Sequence, residues 1–341
     1  MYHVDNSTGV PVMPQPSPVT SETELFFTEG GNGVPPTFPG PDWFNIIQSE
    51  LINILRAAGL DPDKMDNTQI LAALKKLFLS RSNPFGDIKA DGAAAIATAL
   101  SNLGLGDGTG RLIAVYRIEA SRKIGLPPGT KFVVADLIGA GGGGGSNSTT
   151  VQPGYASAAQ GGNSGSRVVA KFNGYEGQEI DVTIGAGGTG GVATPTTGAD
   201  GATGGSTIVG TGIAATGGRG GVRGTAFNVL PTSGPTASSN ADNTISNGVE
   251  LIAQHTGHGG SSGFLFSDKN SLGGKGADSE FGTGGVAIGI SAGINSSGGN
   301  NARGNGAGGS GAVSIYGTGS TGVSMPGGAG ANGLAILWVY G

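Results

Sequence analysis

The chain has 341 residues, with 18 Lys and Arg, 23 Asp and Glu, no cysteine, and a formal net charge of −5. This length can bury a real core and corresponds to about one to three domains. The missing cysteines exclude disulfides and Cys-based zinc sites, and no apolar run approaches the roughly 18 residues of a membrane span. The N-terminus has no basic segment followed by an apolar one, so we expect no secretory signal and no membrane insertion.

Charge and glycine are unevenly distributed along the chain. Residues 1–111 carry a net charge of −5, whereas residues 112–341 carry 11 cations and 11 anions and hold 59 of the 71 glycines. Phosphate-backbone binding needs clustered Lys and Arg, so nucleic acid is not an expected partner. A nearly uncharged surface rich in Gly, Ser, Thr and Asn suits neutral polyols such as sugars, or another protein.

The first predicted elements are an extended arm and a group of helices. Residues 1–41 are rich in proline and polar residues, which indicates an extended arm. The spacing of apolar residues predicts a helix over 42–59 that begins near Asp42 and stops at Gly59. Further helices are predicted at about 68–80 and 92–103. The first two are joined by a short connection and are expected to form an antiparallel hairpin, while the segment SRSNPFGDIKADG is expected to break the helix before the third.

The remainder of the chain is predicted to be mainly β. Residues 107–129 are expected to form a linker and the first strand, followed by a glycine-rich domain over residues 130–341. The clearest strand is EIDVTIG, in which Ile180, Val182 and Ile184 point to one face. The last strand, LAILWVY, is apolar on both faces and is expected to be central. Strands are predicted at about 113–120, 130–138, 167–173, 179–185, 206–216, 249–254, 264–267, 286–290, 311–316 and 334–340.

The glycine runs leave two architectures open for this domain. The preferred fold is a β-sandwich in which the glycines form loops. The alternative is a layer of packed polyglycine-II helices, because glycines recur at three-residue spacing in several runs, for example Gly185, Gly188 and Gly191. Such helices have no internal hydrogen bonds, so their amides must pair with neighbouring segments. The predicted fold class is therefore α+β, mainly β, with a small helical N-terminal module.

Several segments resemble a known family. The stretch LSRSNPFGDIKADGAAAIATALSNLGLG and the preceding TFPGPDWFNIIQSELINILRAAGL resemble the tail fibres of contractile-tailed phages and prophages of the Mu-like and P2-like kind. The segments PPGTKFVVADLIGAGGGGG and GANGLAILWVYG resemble the first and last strands of the glycine-rich tips found on some phage fibres. This resemblance implies a homotrimer in the virion tail, made in the host cytoplasm. It also implies that residues 1–106, including a helical module over 42–106, attach to the tail baseplate.

Recognition is expected in loops of the glycine-rich domain, over residues 130–341. Tyr155 and Phe227 fall in or beside predicted loops, where an exposed ring can stack on a sugar or anchor a protein contact. His255 and His258 form the motif HTGH, which could ligate a metal, but the surrounding sequence offers no carboxylate ligand and polar loop histidines are the preferred interpretation. Tyr155, Phe227, His255 and His258 are therefore the receptor-binding candidates, with no metal or cofactor assigned.

The longest irregular connections, at about 146–166, 222–247 and 255–275, are expected to carry the binding contacts. Phe264 and Phe266 alternate with Leu265 and are interpreted as packing their loop onto the core. No catalytic residue is assigned, because the 11 carboxylates of residues 112–341 form no recognisable pair of the kind that cleaves glycosidic bonds.

The predicted function is that of a tail fibre which binds a bacterial surface glycan or outer-membrane protein during adsorption. Two alternatives remain open. One is a glycine-rich structural filament or wall protein, and the other is an enzyme that cleaves surface polysaccharide.

Overall fold

In the computed structural model the chain divides into two compact units, Met1–Asp107 and Gly108–Gly341. The structure describes residues 2–78, 85–106, 109–228, 231–236, 239–291, 293–317 and 319–341. Strands predominate over helices, and the helices lie in the N-terminal unit, which confirms the predicted fold class.

The first unit contains a helical hairpin and two further helices. Leu55, Ala58 and Ala73 are buried where the first two helices pack. The predicted break before the last helix was partly wrong. Residues 86–90 form a short helix, closed by a hydrogen bond from the Lys89 N–H to the Phe85 carbonyl. No helix in the described ranges is long and apolar enough to span a bilayer. The helices are α1 (Pro41–Ala57), α2 (Gln69–Leu77), α3 (Gly86–Ala90) and α4 (Ala93–Asn102).

The second unit contains all the strands that the described residues form. They are β1 (Leu112–Ile118), β2 (Arg122–Gly125), β3 (Phe132–Ile138), β4 (Ala156–Ala158), β5 (Arg167–Asn173), β6 (Glu179–Thr183), β7 (Thr207–Val209), β8 (Ile213–Ala215), β9 (Ala226–Phe227), β10 (Thr232–Ser233), β11 (Thr244–Ile245), β12 (Val249–His255), β13 (Phe264–Ser267), β14 (Asn270–Leu272), β15 (Phe281–Thr283), β16 (Gly289–Ser291), β17 (Ser296–Ser297), β18 (Arg303–Asn305), β19 (Val313–Ile315) and β20 (Leu334–Tyr340).

Two five-stranded antiparallel sheets form a sandwich that we call the base sandwich. Their strand orders are β1-β20-β3-β5-β12 and β11-β8-β7-β6-β2. The strand β6 is buried at Ile180 and Val182 and exposed at Glu179, Asp181 and Thr183, as its alternation predicts. Apolar residues of both sheets share one buried cluster, which is the main core of this unit. The last strand, β20, has neighbours on both sides and is central, as expected.

The glycine runs are not loops, contrary to the preferred interpretation of the sequence. Residues 139–146 leave the base sandwich as an extended segment whose N–H groups donate in a three-residue cycle to three other segments, 160–166, 199–205 and 328–331. The carbonyls of the same residues accept from 188–191, 218–224 and 309–312. Bonds that point outward with a period of three are the pattern expected of polyglycine-II helices packed side by side. The structure thus combines a sandwich with the alternative architecture, and we call this part the glycine layer.

The close packing of the glycine layer explains why it needs glycine. A Cβ added to Gly141, Gly142, Gly143 or Gly144 would lie less than 3.0 Å from backbone atoms of a neighbouring segment. A side chain at these positions would collide with the neighbouring backbone. The segments would then have to separate, and the hydrogen bonds between them would be weakened. Glycine is required here by the approach of neighbouring backbones rather than by turn formation.

Beyond the glycine layer lie two small four-stranded sheets, with strand orders β17-β19-β4-β9 and β10-β13-β14-β16. They share a small buried cluster that includes Leu265, Ile290, Val313 and Ile315. The strands β15 and β18 form a separate pair.

Three details of the strand prediction were wrong. The segment 206–216 forms two strands, because Gly210 adopts a φ of +56° and turns the chain between β7 and β8. The strand predicted at 286–290 lies at 289–291. In β20 the buried residues are Leu334, Ala335, Leu337 and Val339, whereas Ile336 and Trp338, which were expected to be buried in a central strand, are half-buried because they lie on the opposite face.

Candidate functional site

The glycine-rich unit has two distinct ends. The chain enters at Gly110 and leaves at Gly341, and the Gly110 N–H donates to the Gly341 carbonyl at 2.7 Å beside the base sandwich. The eight residues 139–146 cross the glycine layer, about 25 Å at the rise of a polyglycine-II helix. The segments on the far side of the layer form what we call the distal end. They comprise 147–158, 192–198, 225–228, 231–236, 263–272, 286–291, 293–298, 313–317 and 319–326.

The distal end is almost uncharged. Within these described ranges the only charged residues are Asp268 and Lys269, which are adjacent in the turn between β13 and β14. Hydroxyl and amide side chains are common there, and several apolar side chains are exposed. Surfaces of this composition bind through hydrogen bonds and apolar contact rather than through ion pairs. The exposed apolar residues are Val151, Val192, Phe227, Phe264, Phe266, Val286, Ile294 and Val323.

Tyr155 and Phe227 lie at neighbouring positions of the distal end. The strands β4 and β9 pair so that Ala156 lies opposite Phe227, and Tyr155 directly precedes Ala156. Phe227 is 42% exposed, whereas Tyr155 is half-buried and its carbonyl accepts from the Tyr316 N–H at 2.9 Å. Strand pairing therefore brings together two residues that are 72 positions apart in the sequence.

Phe264 and Phe266 are also exposed at the distal end, which contradicts the expectation that they pack onto the core. In β13 the side chain of Leu265 is buried, while Phe264 and Phe266 are 46% and 56% exposed. Their ring centroids lie 6.3 Å apart with an interplanar angle of 21°. The alternation was visible in the sequence as FLF, but the length of the strand was too short to decide which face was buried.

His255 and His258 lie elsewhere, along the side of the unit. His255 ends β12 on the base sandwich, and residues 256–263 cross the glycine layer before reaching Phe264. The His255 Nε2 contacts the Glu280 carboxylate, and the rings of His255 and His258 are 5.7 Å apart. The structure thus supplies the carboxylate neighbour that the local sequence lacked.

A shallow groove of about 360 Å³ lies beside His258, lined by residues of the segments 258–261 and 275–278. The hydrogen bond from Lys275 and then that from the Gly284 N–H lower the pKa of Asp278. This part of the surface is charged and internally paired, in contrast to the distal end. In the described part of the chain, no three His, Asp or Glu side chains are placed to share a metal ion.

A buried carboxylate on β3, that of Asp136, is also paired. Asp136 is 4% exposed and receives two hydrogen bonds from the Arg167 guanidinium, at 2.9 and 2.7 Å. The Arg167 guanidinium carbon lies 5.7 Å from the centre of the Phe281 ring. This bidentate pair neutralises the buried carboxylate and fixes β5 against β3.

Comparison with known proteins gives one family and several relatives. The family described as "Glycine-rich domain" matches residues 120–340. The chain is 40% identical over 111 residues to Tail fiber protein S of Escherichia phage Mu, which covers 31% of this chain and 22% of that protein. It is 49% identical over 77 residues to the Mu-like prophage FluMu defective tail fiber protein of Haemophilus influenzae, covering 23% of this chain and 12% of that protein.

A third relative is the uncharacterized protein StfP of Escherichia coli K12, which is 42% identical over 103 residues and matches 30% of this chain and 48% of StfP. The chain therefore spans less than half of the length of each of these relatives. They confirm the resemblance to Mu-like tail fibres that the sequence indicated.

Proposed function

Because this chain belongs to the glycine-rich domain family and is similar to tail fibre proteins of Mu-like phages, we propose that it is a tail fibre protein that binds the bacterial surface during adsorption. The observation that carries this proposal is the distal end. It is an almost uncharged surface with exposed aromatic rings, held on a closely bonded layer at the end opposite the attachment point of the chain. Loops held on a rigid scaffold are common sites of recognition.

Tyr155 and Phe227 are the proposed central contacts. Strand pairing places Phe227 opposite Ala156, the residue after Tyr155, so both residues belong to the same part of the distal end. Truncation of an aromatic anchor costs about 2 kcal/mol of binding free energy, which is about thirtyfold in affinity. His255 and His258 have a secondary role in this proposal, as polar contacts for a receptor that extends along the side of the unit.

Residues 1–106 are proposed to attach the fibre to the baseplate and to associate as a homotrimer. The core of the helical hairpin is small, whereas Phe26 and Phe38 of the arm are 78% and 80% exposed. Trp43 packs edge-on against Phe27 with ring centroids 5.3 Å apart and is still 45% exposed. Exposed aromatic area of this extent indicates surfaces that are covered in the assembled particle.

The adsorption assay uses the full chain as a competitor for phage binding to cells of a susceptible host. The parent protein should bind cells and block adsorption, and Tyr155→Ala and Phe227→Ala should each weaken cell binding about thirtyfold. Phe227→Ala should melt like the parent, whereas Tyr155→Ala should melt at a somewhat lower temperature because Tyr155 is half-buried. Tyr175→Ala is the matched control, because Tyr175 is 66% exposed in the turn between β5 and β6, at the base of the sandwich. Full binding by both distal variants would remove them as anchors.

The same protein preparation tests the other two functions. Release of reducing sugar from host polysaccharide would favour a cleaving enzyme, and failure of the parent to bind any susceptible cell would favour a structural filament or wall protein. Mass measurement in solution at micromolar concentration should give a trimer, and a monomer would contradict the proposed assembly.

A further inference from the structure

The outer face of the β13 sheet carries two exposed aromatic rings on one strand. Antiparallel pairing places Thr232, Leu265, Ser271 and Ile290 in one row across β10, β13, β14 and β16, and the last three of these are buried. The next row contains Ser233, Phe264, Leu272 and Gly289 and faces outward. The sheet therefore buries the row that contains Leu265 and Ile290 and presents the row that contains Phe264, while Phe266 is exposed at a register shift between Leu265 and Ser267.

The cross-strand neighbours of Phe264 are the half-buried Leu272 on one side and the exposed Ser233 on the other. Gly289 has no side chain, and its row contributes the small Ser233 on the other side of Phe264. The next pair along β14 and β16, Asn270 and Ser291, is exposed and can donate and accept hydrogen bonds. The two rings thus form an exposed apolar surface bordered by the neutral side chains of Ser233, Asn270 and Ser291 and by the oppositely charged Asp268 and Lys269 of the adjoining turn.

The size of the aromatic surface matches the contact of a small ligand, whereas a protein partner would have to cover much of the distal end as well. A Phe side chain offers roughly 200 Å², so the exposed halves of Phe264 and Phe266 together present on the order of 200 Å². A stable protein interface requires about 800 Å² on each partner. Two rings 6.3 Å apart and within 21° of parallel are instead matched to a small ligand with flat apolar faces and polar edges.

We propose that Phe264 and Phe266 form a stacking site for consecutive rings of an uncharged hexose-containing glycan. The C–H face of each sugar ring packs on an aromatic face, where the negative quadrupole of the ring attracts the positively polarised hydrogens. The sugar hydroxyls at the edge of the site bond to neutral side chains such as Asn270 and Ser291. This inference rests on the proposed function, because it names the receptor class that the distal end recognises.

The direct test measures binding of the full chain to neutral tetrasaccharides of glucose, galactose and mannose, and to the polysaccharide extracted from a susceptible strain. Saturation-transfer NMR reports which sugar protons contact the protein, and calorimetry gives Kd. We expect at least one of these neutral probes to bind through ring C–H protons. A tetrasaccharide of galacturonate serves as the charged comparison, and it should bind more weakly than the neutral probe.

The variants separate stacking from general apolar contact. Phe266→Leu keeps an apolar side chain but removes the flat ring, and it should weaken glycan binding about tenfold or more. Phe266→Tyr keeps the ring and should bind like the parent. Phe264→Ala should act like Phe266→Leu, and Tyr175→Ala should have no effect. Equal glycan binding by Phe266→Leu and the parent would overturn the stacking site, as would the absence of binding to every neutral probe.

Cell binding by the same variants distinguishes this inference from the proposed function. Loss of cell binding by Phe264→Ala, without glycan binding by the parent, would overturn the glycan assignment and leave the distal end as the recognition surface. Glycan binding by a parent protein that binds no susceptible cell would support the stacking site and overturn adsorption as the function.

Discussion

Addition of one methyl group in the glycine layer should destabilise the second unit strongly. Gly143 lies in the central segment, where its N–H donates to the Ala202 carbonyl at 3.0 Å and its carbonyl accepts from the Gly221 N–H at 2.8 Å. In Gly143→Ala the new Cβ would meet the Thr189 carbonyl and the Gly190 nitrogen at less than 3.0 Å. Residue 143 and the segment 189–190 must therefore move apart, which stretches the two bonds that join these segments, from the Gly188 N–H to the Gly141 carbonyl at 2.9 Å and from the Gly191 N–H to the Gly144 carbonyl at 2.8 Å.

The magnitude follows from the two effects of that movement. Overpacking of a close-packed interior costs about 1–3 kcal/mol. Weakening of two buried backbone hydrogen bonds adds about 0.5–1.5 kcal/mol for each. The expected loss is about 2–6 kcal/mol in the free energy of unfolding. At about 2–4 °C per kcal/mol for a domain of this size, the melting temperature should fall by at least about 4 °C.

The assay is thermal unfolding of the full chain, with Gly125→Ala as the matched control. Gly125 ends β2 at an exposed position. A Cβ added there would have no atom within 4 Å, and the residue does not have a positive φ. Alanine at such a position should be neutral or stabilise by about 0.4–1 kcal/mol, because it restricts the unfolded chain. Equal melting temperatures for Gly143→Ala and Gly125→Ala would refute the argument that close backbone approach requires glycine in this layer.

Three further changes test other parts of the structure. Leu337→Ala should cost about 2–5 kcal/mol because Leu337 is fully buried, and a larger effect of Trp338→Ala would contradict the assigned faces of β20. Asp278→Asn should lower the melting temperature near neutral pH. Because the folded-state pKa of Asp278 is depressed, its contribution is present above its unfolded pKa and lost as pH falls through the folded value. The difference in melting temperature between the parent and Asp278→Asn should therefore disappear in acid. A difference that stays constant with pH would contradict a stabilising contact between Asp278 and Lys275. Cell binding should change little between about 0.05 and 0.5 M salt, since the distal end is nearly uncharged, and a steep salt dependence would indicate a charged site instead.

The sequence predicts local elements well where one strand or helix contains the whole signal. The alternation in EIDVTIG identifies the buried residues Ile180 and Val182, and the apolar run LAILWVY identifies a central strand. It does not identify which face of a strand is the more deeply buried when both are apolar. Leu337 and Trp338 differ in burial because the second sheet of the base sandwich packs on the face that carries Leu337, and that information lies in distant residues.

The sequence indicated packed polyglycine-II helices as one of two possible architectures but could not decide between them and a sandwich with glycine loops. A run such as Gly139–Gly145 is compatible with a loop or with a polyglycine-II helix, because both conformations lack side-chain contacts of their own. The choice depends on whether six other segments approach closely enough to form hydrogen bonds with the N–H and carbonyl groups of the run. The contact of His255 with Glu280 has the same origin, since its partner is 25 residues away on another segment.

The two kinds of core in this unit have different consequences for the distal end. The base sandwich is held by apolar side chains, so its sequence is constrained by packing. The glycine layer is held by backbone hydrogen bonds, so its requirement is the absence of side chains at close contacts rather than a particular set of them. Distal turns such as 192–198 are joined on both sides to segments fixed in this way. The exposed residues of such turns can therefore change without disturbing either core, whereas Gly198, with a φ of +64° and a close contact to the Asn147 carbonyl, cannot. Tolerance of this kind suits the recognition role proposed above.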